Sequence, residues 1–211
     1  MARAAAPEWV IDERRDLAEV LDALGPEQWD APTLCAGWRV REVVAHITMA
    51  FRYPLPRFVW GMVKAGGRFD VMADRSARAD TEALSDEELL ACLTANLAHP
   101  WKPPGGGFEG ALSHDMIHGL DITTALGVDR TVPADRLSRV LDGMSPRNVG
   151  YFHADIADVR LEATDRDWTF GAGTPVRGRA QHLLLVICGR TLPEGLLTGD
   201  AADRFLAPVG S

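Results

Sequence analysis

From Glu8 to Leu24 the apolar residues Val10, Leu17, Val20, Leu21 and Leu24 recur mostly at three- and four-residue steps, then Gly25-Pro26 breaks the pattern. That spacing predicts a first amphipathic helix. A turn-rich stretch follows, and Val40, Val43, Val44, Ile47 and Phe51 mark one face of a second helix that carries His46. Pro54 and Pro56 disturb its end, and the stretch from Gly61 to Asp80, rich in Gly, Arg and Asp, reads as a crossover or loop. Ser85 before Asp86, Glu87 and Glu88 forms a capping box, opening a third helix that runs through Leu97. Lys102-Pro-Pro-Gly-Gly-Gly is a breaker, and Phe108 to Leu126 reads as another helix closed by Gly127. Pro133 opens a further helix, which resumes near Val149 after Ser145-Pro146.

Beyond Asp155 the texture changes. VRLEATD alternates like a strand, DWTFGAGTPVRG reads as strand and turn, and RAQHLLLVICGR is a strongly apolar helix. The expected architecture is mainly α, with a helical bundle over 1–154 and a small α+β domain over 155–211.

Composition narrows the function. With 211 residues, 46% hydrophobic and 25% charged, the chain has the makings of one or two globular domains. A net charge of -8 and no dense Lys/Arg stripe speak against a nucleic-acid partner. No apolar run approaches the ~20 residues of a membrane span, and the opening MARAAAPEWVIDERRD turns polar too early for a secretory signal. A cytoplasmic location, as monomer or homodimer, is the expectation. Cys35, Cys92 and Cys188 are widely spaced without a CxxC pair, so they read as small buried residues rather than thiolate ligands.

The chemistry lies in the histidines. His114 and His118, four residues apart, share one helical face within reach of a single ion. By itself such a pair is a weak signal, which a third imidazole from a neighbouring helix strengthens. His46 is the candidate, although a core histidine bonded to a carbonyl fits the same pattern. His153 is the substitute ligand, while His99 and His182 have no assigned role. Three neutral imidazoles would hold a divalent ion, zinc first, with a fourth position open to water or a thiol. Asp121, three residues beyond His118, could orient a ligand ring, or be simply solvated. Cys35 lies just before the His46 helix and could be a nucleophile or a packed small residue; Trp38 at that helix's start reads as packing.

The blocks LCAGWRVREVVAHI, HDMIHGLDITTALG, DWTFGAGTPVRGRAQHLLLVICGR and LLTGD, in this order, resemble the DinB-like superfamily, specifically its actinobacterial mycothiol-dependent maleylpyruvate isomerase family. The resemblance implies a DinB-like four-helix bundle, a small C-terminal domain, His46, His114 and His118 as metal ligands, and mycothiol as thiol cosubstrate. It also implies that arginines of the third block, Arg177 and Arg190 with Arg179 beside them, contact the thiol or a substrate anion. In the prototype isomerase the position matching His114 resembles a carboxylate, so the three-histidine set is a departure. The expected function is a metal- and mycothiol-dependent isomerase or S-transferase acting on a small electrophile. A metal-dependent hydrolase or lyase, or a non-catalytic metal-binding bundle, is the alternative.

Overall fold

A computed structural model describes residues 5–207. Compactness divides the chain within one long helix, into Met1–Gly119 and Leu120–Ser211.

The first unit is helical. Helix α1 (Glu8–Asp22) buries Val10, Leu17, Ala18 and Leu21 at the predicted spacing. After a single turn, α2 (Pro26–Trp29), comes α3 (Val40–Arg52), buried continuously from Glu42 to Met49 as the central helix of the unit. Helix α6 (Asp86–Ala95) starts as predicted: the Glu88 amide donates to Ser85 Oγ at 3.2 Å, and the Ser85 amide donates to Glu88 Oε2 at 2.8 Å. Helix α7 (Gly107–Ala125) carries both later histidines. Gly127, with φ +65°, follows it, and the Val128 amide reaches back to the Thr123 carbonyl at 2.9 Å, a Schellman ending. α6 packs on α1 and α3, and side-chain contacts of α7 with both α1 and α3 close the four-helix ring.

The stretch from Gly61 to Asp80, expected as a crossover or loop, instead holds the end of α4 (Leu55–Lys64) and most of α5 (Phe69–Ala83). Both departures have a physical cause. α5 buries Met72, Ala73, Ala77 and a charged residue, Asp80, so its inner face carries little apolar signal. Asp80 accepts from Arg52 Nη2 at 2.8 Å, Tyr53 Oη at 3.0 Å and Arg57 Nη2 at 3.2 Å, which ties α5 to α3 and α4. α4 buries none of its residues fully: Phe58 and Met62 pack half-buried against the Met49, Ala65 and Met72 cluster, while Leu55, Val59, Trp60 and Val63 stay exposed, so apolar residues on both sides blur its core face.

The second unit holds α8 (Ala134–Asp142), α9 (Pro146–Tyr151) and a four-stranded sheet of β1 (Val159–Ala163), β2 (Thr169–Gly171), β3 (Thr174–Gly178) and β4 (Leu197–Thr198). The order is β2-β1-β3-β4, with β1 and β3 parallel and the outer pairs antiparallel. Gly173 makes the tight return before β3: its φ is +129°, and a Cβ there would stand 2.1 Å from the Asp158 carbonyl oxygen. Helix α10 (Ala180–Ile187), buried along its whole length, covers β1 and β3. Its Gln181 accepts from the Val132 amide and donates to the Arg130 carbonyl, pinning the approach to α8. Among the described residues no helix is long and apolar enough to cross a membrane.

Candidate metal centre

His46 stands in the middle of α3, 7% exposed, where Val43, Val44 and Ile47 fix the helix in the core. His114 and His118 project from adjacent turns of α7 as the four-residue spacing requires. The structure brings all three together, with one ring nitrogen from each lying within 4.8 Å of the others. His114 Nε2 is 3.1 Å from His46 Nε2. Two nitrogens sharing a tetrahedral ion with bonds of ~2.0–2.1 Å stand ~3.3 Å apart, so the spacing suits a common ion with little adjustment.

The electrostatics suit one too. Burial, and then the neighbouring rings of His118 and His114, push the His46 pKa well below the usual histidine range, leaving a neutral imidazole with a lone pair to offer. His114 has its Nδ1 2.9 Å from Asp115 Oδ1. Burial by itself pushes the Asp115 carboxyl up, but the contacts with His114 and Arg14 more than reverse this and hold it below the ordinary carboxylate range. A charged carboxylate only accepts, so His114 Nδ1 is the donor in this pair. Three imidazole nitrogens converging in a half-buried site fit a divalent ion that takes nitrogen donors.

Aromatic rings surround the triad. Trp38 and Phe69 lie 5.1 and 6.3 Å from the His46 ring, and Trp101 lies 5.0 Å from the His114 ring, centroid to centroid. Trp38 is held by its indole N–H, which donates to Asp74 Oδ1 at 2.9 Å. Cys35 has Sγ within 4.8 Å of a His118 ring nitrogen.

Asp121, three residues beyond His118 on α7, has a carboxylate oxygen within 4.8 Å of a His118 ring nitrogen. Asp121 is fully buried and takes a two-pronged contact from Arg190, Nε to Oδ1 and Nη2 to Oδ2, both 2.8 Å. Arg177, about half exposed, pairs with Glu162 at 2.8 Å, and Arg179 donates to Thr131 Oγ1 at 2.6 Å. His153 and Arg190 line a cavity of about 320 Å³ in the second unit. His182 is buried on α10, and His99 Nδ1 accepts from the Trp101 amide at 3.2 Å. Sequence reasoning missed Asp115 and Arg14. The signal for Asp115 was its place directly after His114; Arg14, a hundred positions earlier, had none.

Residues 10–99 match the family model described as the mycothiol maleylpyruvate isomerase N-terminal domain. A crystal structure of a mutant of the mycothiol-dependent maleylpyruvate isomerase is similar over 91% of this chain and 93% of its own, at 13% identity and a TM-score of 0.51. A second crystal structure of the mycothiol-dependent maleylpyruvate isomerase covers the same shares at 12% identity and a TM-score of 0.47. No curated protein matches the sequence significantly. The architecture is the DinB-like helical bundle with a small C-terminal α+β portion that the sequence led us to expect.

Proposed function

Residues 10–99 belong to the mycothiol maleylpyruvate isomerase N-terminal domain family, and from that premise we propose that the chain is a metal- and thiol-dependent enzyme. It acts with mycothiol on a small electrophilic metabolite, as an isomerase or an S-transferase. The observation that carries the proposal is the convergence of His46, His114 and His118, with the two Nε2 atoms 3.1 Å apart. These residues would hold a divalent ion, zinc first by its preference for nitrogen donors, which when bound supplies Lewis acidity that lowers the pKa of a thiol.

The chain's own residues do the rest. Burial keeps the His46 imidazole neutral and able to offer a lone pair. Trp38, Phe69 and Trp101 wall the site with rings that limit the water around an attacking sulfur. No protein cysteine is needed, because the cosubstrate brings the sulfur. In an isomerisation the thiol adds to an electrophilic carbon and departs after rotation about the former double bond; in a transfer it stays. Arg177 and Arg190 are proposed to contact the anionic groups of thiol or substrate. Each would do so while sharing its guanidinium with a carboxylate, Glu162 or Asp121.

The test is the metal content of purified protein by elemental mass spectrometry, for the wild type and for His46→Ala, His114→Ala and His118→Ala. Close to one zinc per chain, lost in each variant, together with turnover of an electrophile only when mycothiol is supplied, is the expected result. A wild type that takes up no divalent metal after zinc addition overturns the metal reading. Turnover indifferent to thiol would point to activated water instead.

A further inference from the structure

Arg14 and Asp115 form an ion pair buried as deeply as any in the first unit, with side chains 0% and 1% exposed and Nε to Oδ2 at 2.7 Å. Such a pair is poor evidence for stability, because well-packed apolar residues of similar volume commonly do as well or better. What an apolar pair could not do is present a carboxylate oxygen to His114 Nδ1, and Asp115 Oδ1 does this at 2.9 Å. Asp115 spends one oxygen on Arg14 and the other on His114, so the arginine on α1 fixes the direction from which the imidazole is held.

Arg14 grips His114 from a second side as well. Its Nη1 donates to the carbonyls of Leu97 and His99, at 3.0 and 2.8 Å. Those carbonyls belong to the segment between α6 and α7 that also carries Trp101, whose ring meets the His114 ring at 5.0 Å. The guanidinium thus joins the carboxylate behind the imidazole to the backbone that sets the indole against its face. His46 receives no comparable treatment: its buried Nδ1 has no hydrogen-bond partner among the described residues.

We infer that Arg14 and Asp115 are positioning residues for His114, locking its Nδ1–H tautomer and its ring orientation. The inference rests on the reading of the triad as an ion site, but the tautomer itself can be observed without any ion. Removing such an outer partner of a ligand histidine typically weakens metal binding by about 10- to 100-fold.

The experiment uses the full chain and three variants: Asp115→Asn, Arg14→Met, and the double variant Arg14→Met with Asp115→Leu, which removes both charges at once and leaves neither buried alone. Two quantities are read: the His114 tautomer in metal-free protein by nitrogen NMR, and zinc affinity by competition with a chromophoric chelator. The wild type is expected to show His114 protonated on Nδ1. The double variant should lose that preference and bind zinc about 10- to 100-fold more weakly, with Arg14→Met shifting both readouts in the same direction. Should the double variant not fold, Asp115→Asn decides, since its amide keeps the shape and offers only a neutral, weaker acceptor; the tautomer signal should then become mixed. A folded double variant with wild-type tautomer and affinity, or an unchanged Asp115→Asn where that variant decides, overturns the inference. If the wild type binds no zinc but the tautomer depends on Asp115 as described, the ion-site reading fails and the positioning of His114 stands.

Discussion

Asp80 gives the sharpest test of how the first unit holds the candidate site. Its side chain is 6% exposed, and three donors from outside α5 converge on it: Arg52, Tyr53 and Arg57. Asp80→Ala removes every one of these acceptors. Arg52 is the main loss, since its side chain is only 17% exposed and a hydrogen bond to a charged group of this kind contributes roughly 1.5–3 kcal/mol. The Tyr53 hydroxyl adds about 1 kcal/mol. Arg57, 53% exposed, recovers most of its loss from water and adds well under ~1 kcal/mol. The expected destabilisation is therefore about 3 kcal/mol, less than the cost of orphaning a fully buried charge because Arg52 still reaches solvent. For a chain of this size that corresponds to a fall in Tm of about 6–12 °C, read by far-UV circular dichroism and tryptophan fluorescence in parallel. Asp80→Asn should fall between, because its amide still accepts but carries no charge. Asp70→Ala, at the solvent-exposed start of the same helix, should leave the melting curve where it is. A Tm for Asp80→Ala within about 2 °C of the wild type would refute the reasoning and mean that water replaces the carboxylate without penalty.

Two further outcomes follow from local geometry. Ser85→Ala deletes the acceptor for the Glu88 amide and should cost about 1 kcal/mol, or about 2–4 °C in Tm, with Ser85→Gly losing less; no change in either would mean that water caps α6 as well as the serine does. Burial pushes the Cys188 thiol up to about 12, so at about pH 8 it holds a negligible fraction of thiolate. Cys188→Ser should accordingly leave the thiols titrated by an aromatic disulfide in folded protein unchanged, and lower the denatured count by one; a drop in the folded count would show that α10 opens.

The parts of the fold legible in the sequence are those where an apolar stripe or a cap states its own purpose. Val10, Leu17 and Leu21 bury as spaced in α1, and Ser85 and Gly127 mark a helix start and a helix end where they were expected. The region of α4 and α5 was not legible, because its periodicity is carried by the wrong residue types. The inward face of α5 consists of Met72, two alanines and an aspartate whose partners come from α3 and α4, so local pattern has little to register. On α4, Leu55, Val59, Trp60 and Val63 remain exposed while Phe58 and Met62 pack half-buried, so its apolar residues lie on both sides and form no single stripe.

The candidate site divides along the same line. Spacing alone brought His114 and His118 to one face, and placing His46 on a helix that had to be central was enough to suggest the third ring. Since α3 is buried nearly all round, its pattern could show that His46 is inside but not which helix it faces. The spacing rule put Asp121 within reach of His118, because residues three apart on a helix are neighbours, and a carboxylate oxygen of Asp121 lies within 4.8 Å of a His118 ring nitrogen. Asp121 is engaged with Arg190, a partner 69 positions away, and the oxygen that meets His114 comes from the adjacent residue, Asp115. Neighbours in sequence diverge around a helix, yet an aspartate is short enough and a histidine ring wide enough for Oδ1 to reach the Nδ1 edge nearest the backbone. Arg14 holds the other oxygen from α1 and sets the carboxylate's direction, so this part of the site is specified by a contact across 101 positions rather than by any local motif.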